Sequence, residues 1–256
     1  MLLHQSPGLH GIECTRWRLQ DVGKALAWLE GCSPPGIHKV LKRFGFSRKQ
    51  ALYFVYSPDV EFRSKWQAVL QAFFDAANHP EQAVLLFLDE LTYYRQPGKA
   101  PAYHHKGKQQ PKAYQAARYN TQTRIVAVLN AWTGQVHSLQ RSRIGKEALV
   151  EFYAQIRTAY PNLQRLYLVQ DNWPVHKLPE VVQALQTHRL TPLFLPTYAS
   201  WLNPIEKLWR WLKQKVLHNH RLAADLEALR QQVTDFLDGF KNGSDPLLRY
   251  VGLLSD

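Results

Sequence analysis

Acidic residues next to apolar segments are the side chains of this chain that could do chemistry together. Asp171 directly follows the run LYLVQ at 166–170, and Asp89 ends the earlier apolar run 83–88. Glu206, 35 positions after Asp171, falls in the first turn of a predicted helix. Side chains at strand ends and at a helix start can converge on one point, and carboxylate oxygens are the ligands of hard divalent cations. The spacing therefore predicts a metal site built from distant parts of the chain.

Each acid also has a plain structural explanation. Asp89 could be a solvated residue where a strand leaves the core, and Asp171-Asn172 could be turn chemistry. Glu206 lies three residues after Asn203, so the pair could form a capping box at the helix start. The three acids together favour catalysis, because no phosphate-binding loop, nucleophile elbow or H-E-x-x-H motif offers a rival chemistry.

Composition indicates a folded protein with a polyanionic partner. The 256 residues include 32 Lys and Arg against 20 Asp and Glu, for a net charge of +12, and 45% are hydrophobic. Nucleic acid is the expected partner ahead of a membrane surface. No apolar run is long enough to span a membrane, and the N-terminus has no secretory signal pattern. We expect a cytoplasmic, nucleoid-associated protein with no membrane partner, whose two Cys are reduced thiols.

Residues 1–50 are predicted to form a helix-turn-helix DNA-binding segment. Apolar residues recur at helical spacing after residue 18, and Ser33-Pro34 is a good start for a second helix. One side of that second helix carries the candidate DNA-binding residues His38, Lys39, Lys42 and Arg43. An ordinary pair of helices with a solvated basic face is the alternative interpretation.

A second basic region, residues 91–146, contains no Asp or Glu. Its basic residues alternate with tyrosines, as in surfaces that follow phosphates and stack on bases. The Gly and Pro residues near its start predict a long loop. The candidate DNA-binding residues in this loop are Lys106, Lys108, Lys112 and Arg118. A merely solubilising basic loop is the alternative.

The order of predicted elements indicates the α/β class. A strand, the long loop, a β-hairpin and then alternating helices and strands describe a mixed sheet flanked by helices. We divide the chain into the helix-turn-helix segment 1–50, a helical connector 51–80, a catalytic domain 81–240 and a C-terminal tail 241–256.

Three motifs carry a family resemblance. They are FLDE at 87–90, LVQDN at 168–172 with His176, and LPTY at 195–198 through LNPIE at 202–206, followed by Trp209 and Lys213. Over residues 83–240 the chain resembles the bacterial insertion-sequence branch of the mariner-type transposases, whose catalytic domain carries an Asp, Asp, Glu triad. The 34 residues between Asp171 and Glu206 are also typical of that family.

The resemblance implies a ribonuclease-H-like fold and two Mg²⁺ or Mn²⁺ ions held by Asp89, Asp171 and Glu206. One ion would activate a water that cuts at the element's end, and the released 3′-hydroxyl would attack target DNA, usually at a TA step. Residues expected to position the metal ligands or the DNA strand are Asn172, His176 and Asn203. The implied partner is double-stranded DNA, as transposon ends and as target, bound by a homodimer.

The N-terminus departs from the family pattern. Family members usually carry two helix-turn-helix units, and residues 1–50 have room for one. This observation suggests a truncated copy or one product of a split reading frame. It keeps two alternatives open, namely a catalytically inactive DNA-binding remnant or inhibitor of transposition, and another ribonuclease-H-like nuclease such as one acting on RNA–DNA hybrids.

Overall fold

A computed structural model describes residues 2–50 and 56–255 in two compact units, 1–55 and 56–256. Residues 51–55, the first part of the predicted connector 51–80, lie outside the described residues. The remainder of that connector contains helix α3, introduced below, so the prediction of a helix there is confirmed.

The N-terminal unit contains two helices joined by a tight turn. α1 spans Leu19–Ala25 and α2 spans Pro34–Arg43, with a short 3-10 turn at Ala27–Leu29 between them. Ser33 caps α2 by accepting a hydrogen bond from the Gly36 N–H, and the proline that follows Ser33 needs no partner in the first turn. The buried side chains of Val22, Leu29 and Ile37 hold the helices together. The predicted helix pair is therefore present, with its basic side facing solvent.

Five strands form the mixed sheet of the second unit. They are β1 Ala83–Tyr94, β2 Gln122–Asn130, β3 Val136–Arg141, β4 Arg165–Gln170 and β5 Leu190–Phe194. The strand order is β3-β2-β1-β4-β5. β1 pairs antiparallel with β2 and parallel with β4, which places it at the centre of the sheet. The predicted β-hairpin is the β2–β3 pair.

Six helices accompany this sheet. They are α3 Phe62–Asn78, α4 Lys146–Ala159, α5 Pro179–Thr187, α6 Ile205–Leu212, α7 Leu226–Asp238 and α8 Asp245–Val251. Alternation along β1 separates two cores. Leu85 and Phe87 pack with the α6 side chains, whereas Leu86 and Leu88 pack with those of α4 and α5. The sheet is thus covered on both faces, as the sequence predicted.

Two local predictions were wrong. β1 continues to Tyr94, so Asp89 lies within the strand rather than at its end, because pairing with β2 extends as far as the partners Tyr94 and Gln122. The expected tail 241–256 includes α8, whose apolar side chains are buried against the core. The alternative interpretation, a capping box of Asn203 and Glu206, is not found in the described residues: α6 has Pro204 at its N-cap, and the Asn203 amide N–H donates to a tertiary partner described below.

Between β1 and β2, residues 95–121 form the long loop that the glycines and prolines predicted. An isolated bridge from Gly98 to His218 ties its start to the segment after α6. The side-chain amide of Gln96 bonds to the backbone of Ala116 and Arg118, which holds the loop's two ends together. Among the described residues, no helix is long and apolar enough to cross a membrane.

Candidate active site

Asp89 extends from the central strand towards α6. It shares a sheet face with Leu85 and Phe87, four and two residues earlier. Its Oδ2 accepts a 2.8 Å hydrogen bond from the indole N–H of Trp209. Shielding from water, followed by the charge of Glu206 and more weakly that of Asp171, raises the pKa of Asp89 to about 7, although the hydrogen bonds from Trp209 and from the Glu90 backbone N–H lower it. Asp89 is therefore a half-buried acid in a field of negative charge.

Asp171 stands beside Asp89 because their strands are parallel neighbours. In the β1–β4 pairing, Val169 lies opposite Phe87. Asp89 comes two residues after Phe87 in β1, and Asp171 comes two residues after Val169, just past the end of β4. Asp171 is exposed, and its Oδ1 accepts a 2.9 Å hydrogen bond from the backbone N–H of Trp173. The sheet register, rather than sequence proximity, brings the two acids together.

Glu206 reaches the same region from the first turn of α6, where a carboxylate is also favoured by the helix dipole. Partial shielding from water raises the pKa of Glu206; the charge of Asp171 raises it as well, whereas Lys213 and Arg210 act in the opposite direction. Arg210 was not among the residues predicted from the sequence, although its position one helical turn after Glu206 was a signal that could have identified it.

These carboxylates fit a hard divalent cation. Asp89, Asp171 and Glu206 offer only oxygen donors; the charges of Glu206 and Asp171 raise the pKa of Asp89, and the charge of Asp171 raises that of Glu206, a repulsion that a divalent cation would relieve. In the part of the chain that the structure describes, the three side chains do not bring one carboxylate oxygen each to within 4.8 Å of one another.

Two asparagines hold the loops that carry the acids. The side-chain amide of Asn203 donates a 2.9 Å hydrogen bond to the Leu88 carbonyl, next to Asp89, and Asn203 is buried. The amide of Asn172 donates to the Leu195 carbonyl at 2.6 Å. Both contacts tie a loop to a neighbouring strand, which is the kind of contact expected of the positioning residues predicted from the sequence.

The third predicted positioning residue, His176, lies on the other face of β1. It is fully buried, and its Nε2 is 3.5 Å from Glu90 Oε1 and 3.5 Å from Asp171 Oδ1. Burial lowers the pKa of His176 to about 4, although the charge of Asp171 acts in the opposite direction. Sequence reasoning missed Glu90, although strand alternation places the residue after Asp89 on the opposite face.

The candidate DNA-binding residues are all exposed. In the N-terminal unit these are His38, Lys39, Lys42 and Arg43 on one helix. In the second unit they are Lys106, Lys108, Lys112 and Arg118 on the long loop. Exposure leaves every one of these side chains accessible to a phosphate backbone.

Sheet order, helices on both faces and acids at the centre define an α/β protein with a ribonuclease-H-like fold. Residues 84–230, more than half of the chain, match the family model of the DDE superfamily endonucleases. The chain therefore belongs to the DDE superfamily endonuclease family, and the membership predicted from the motifs is confirmed.

A curated relative and several solved structures are similar to this chain. The insertion element IS630 uncharacterized 39 kDa protein of Shigella sonnei is 21% identical over 234 residues, which are 90% of this chain and 66% of the relative. The chain thus spans slightly less than two thirds of that relative's length.

Among solved structures, the Mos1 transposase paired-end complex with left transposon end has a TM-score of 0.62 at 13% identity, over 95% of this chain and 77% of that one. The Mos1 mariner paired-end complex with Mn has a TM-score of 0.63 at 14% identity, over the same shares. The Mos1 strand transfer complex has a TM-score of 0.59 at 16% identity, over 95% and 76%. These similarities confirm the predicted ribonuclease-H-like fold.

Proposed function

We propose that this protein is an insertion-sequence transposase that cleaves DNA at the element's ends and joins the released 3′-hydroxyl to target DNA. The observation that carries the proposal is the arrangement of Asp89, Asp171 and Glu206, three interacting carboxylates on a DDE endonuclease domain. The relative encoded by an insertion element and the Mos1 complexes with transposon ends support this choice of substrate.

Asp89, Asp171 and Glu206 would hold two Mg²⁺ or Mn²⁺ ions. Bound there, such ions would lower the pKa of a water molecule and stabilise the charge of the leaving oxygen. Among the chain's own groups, the Trp209 indole fixes one oxygen of Asp89 through its N–H. Asn203 anchors the start of the segment that leads into α6. These contacts set the ligand positions before DNA arrives, so that less reorganisation is needed.

Basic residues supply the DNA contacts in this proposal. Arg210 and Lys213 already lower the pKa of Glu206, and so place positive charge beside the acids. The exposed basic residues of α2 and of the long loop would bind the phosphates of the transposon ends and of the target. We propose that the complete assembly on DNA is a homodimer.

A plasmid-nicking assay tests the proposed reaction. The purified full chain and an Asp171→Asn control are incubated with supercoiled plasmid in Mg²⁺, in Mn²⁺ or in EDTA. The proposal expects nicking that requires the metal and is absent from the control, with strand-transfer products when element ends are supplied. Binding without nicking would instead indicate an inactive DNA-binding remnant. Preferential cleavage of RNA–DNA hybrids without strand transfer would indicate another nuclease.

The role of α2 is tested by the salt dependence of DNA binding. The variant Lys39→Ala/Lys42→Ala/Arg43→Ala should bind DNA more weakly, and its log–log salt slope should fall by up to about 0.9 for each phosphate that the protein no longer neutralises. Filter binding over a salt series measures this slope. Lys241→Ala removes one exposed charge elsewhere and is the matched control. An unchanged slope in the triple variant means that α2 does not face DNA.

A further inference from the structure

Glu90, Asp171 and His176 bring three ligand atoms to one point. One atom from each lies within 4.8 Å of the other two. His176 is fully buried, and neither its Nε2 nor Glu90 Oε1 has a hydrogen-bond partner among residues 2–50 and 56–255. The group differs from the predicted acid triad in containing a nitrogen donor and in using a different residue of β1. Only Asp171 belongs to both.

The distances in this group suit a metal ion better than a hydrogen bond. His176 Nε2 is 3.5 Å from Glu90 Oε1 and 3.5 Å from Asp171 Oδ1, whereas a good N–H···O bond is about 2.7–3.2 Å long. Donor atoms about 2.0–2.1 Å from a tetrahedral ion lie roughly 3.4 Å apart. Both measured edges therefore match the edge of a tetrahedral site.

The far side of the imidazole ring faces a tyrosine hydroxyl at the outer limit of hydrogen-bond distance. Nδ1 is 3.5 Å from the Tyr153 hydroxyl, and that hydroxyl is 3.4 Å from Gln170 Oε1. When the Nδ1–H points to the Tyr153 oxygen and the Tyr153 O–H points to Gln170 Oε1, the Nε2 lone pair faces the two carboxylates. This chain of contacts orients the ring with its free nitrogen towards the site.

The charged groups around Glu90 also favour a bound cation. Among the described residues, His176 is the only basic side chain within 4 Å of the Glu90 carboxylate. A bound cation would supply the positive charge that these buried groups lack.

We propose that Glu90, Asp171 and His176 form a binding site for a divalent transition-metal ion, Zn²⁺, with water as the fourth ligand. An imidazole nitrogen favours Zn²⁺ over Mg²⁺, which prefers six oxygen donors. The site lies on the α4 and α5 side of β1, opposite the face from which Asp89 extends. The inference does not rest on the transposition reaction.

Metal binding can be measured with the acid triad disabled. In the full-length double variant Asp89→Asn/Glu206→Gln, Co²⁺ serves as a spectroscopic substitute for Zn²⁺. We expect one equivalent of Co²⁺ to give the intense visible absorption of a tetrahedral ion, and Zn²⁺ to displace it. Absence of this absorption, or an octahedral spectrum only, overturns the proposal. Nicking activity plays no part in this readout, so failure of the proposed reaction would leave the result intact.

Ligand identity is tested by adding Glu90→Gln or His176→Asn to the same double variant. Each change should weaken Zn²⁺ binding more than about 100-fold, since removal of a direct ligand costs more than removal of an outer hydrogen bond. The matched control is His104→Asn/His105→Asn, which removes an exposed histidine pair and should leave binding unchanged. Loss of binding in that control, with retention in the Glu90 variant, overturns the assignment.

The ligands can also be identified in the unaltered chain, which is needed if the His176 variant does not fold. X-ray absorption at the zinc edge, with one equivalent of Zn²⁺, should show a single imidazole ligand with the remaining ligands oxygen. A spectrum with oxygen ligands alone, or with two or more imidazoles, contradicts the site.

Discussion

Asp89 and Glu90 are neighbours in sequence but occupy different environments. Asp89 lies on the α6 side of β1, where the Trp209 N–H binds its carboxylate and the charges of Glu206 and Asp171 are close. Glu90 lies on the α4 side, where His176 is near but no hydrogen-bond donor reaches its Oε1. The raised pKa of each residue has burial as its largest cause.

The difference shows how one dipeptide in a central strand can serve two sites. Alternation sends consecutive side chains to opposite faces, so each acid meets the helices of its own layer. On one face, in the proposed function, the surrounding groups would prepare a carboxylate to bind ions together with Asp171 and Glu206. On the other face a histidine offers a nitrogen donor. Asp171, directly after β4, lies near the residues of both faces: its Oδ1 is 3.5 Å from His176 Nε2, and its charge acts on Asp89.

The largest predicted effect is on cleavage, from changes on the Asp89 side. Asp89→Asn and Glu206→Gln should each slow metal-dependent nicking by at least about 10³-fold, because each removes a charged oxygen ligand worth several kcal/mol in the transition state. Single-turnover nicking measures the rate, and DNA binding should persist. If Glu90→Gln causes an equal loss at saturating Mg²⁺, the two faces do not act as separate sites.

Trp209→Phe tests the hydrogen bond that distinguishes Asp89 from Glu90. The change keeps an aromatic ring in the core but removes the N–H, and hydrogen bonds to charged groups contribute about 1.5–3 kcal/mol. Nicking should therefore slow by roughly 10-fold or more. Urea unfolding provides the control for the packing defect. A normal rate in a stably folded variant means that Asp89 needs no support from Trp209.

Glu90→Gln should stabilise the metal-free protein. Glutamine fills the same space without an ionisable group, so the free energy of unfolding in EDTA should rise by about 1–3 kcal/mol at alkaline pH. Because the folded-state pKa of Glu90 is raised above 4.5, the wild-type chain loses more stability than the variant as the pH rises past that value; the variant keeps only the losses due to other acids with raised pKa, such as Asp89. Urea unfolding over a pH series measures the difference. Equal pH profiles would show that Glu90 ionises freely.

The smallest effect concerns the loop that leads to Glu206. Asp59 binds the Lys65 ammonium and the Thr197 backbone N–H, and these contacts lower the pKa of Asp59 from 3.8. A lowered carboxylate pKa contributes stability above about pH 4, which is lost as the pH falls. Asp59→Asn should therefore be slightly less stable near neutral pH and no less stable in strong acid. A constant difference between the two proteins at both pH values would contradict this assignment.

Much of the fold could be predicted because local patterns agree with tertiary structure. The Ser33 cap, the β2–β3 hairpin and the apolar strands all appear where spacing and turn chemistry indicated. The three acids were recognised because motif residues flank each of them. The extent of β1 was not predictable in the same way, since a strand ends where its partner ends, and that partner begins at Gln122, after a long loop.

The amino-acid sequence by itself determined the α/β class, the identity of the three acids and the basic character of the chain. Tertiary structure alone decided what surrounds each acid. Trp209 reaches Asp89 across 120 positions, and His176 reaches Glu90 on the other face. Composition and periodicity report which residues are buried, but hydrogen-bond partners depend on sheet register and helix placement, which long-range packing sets.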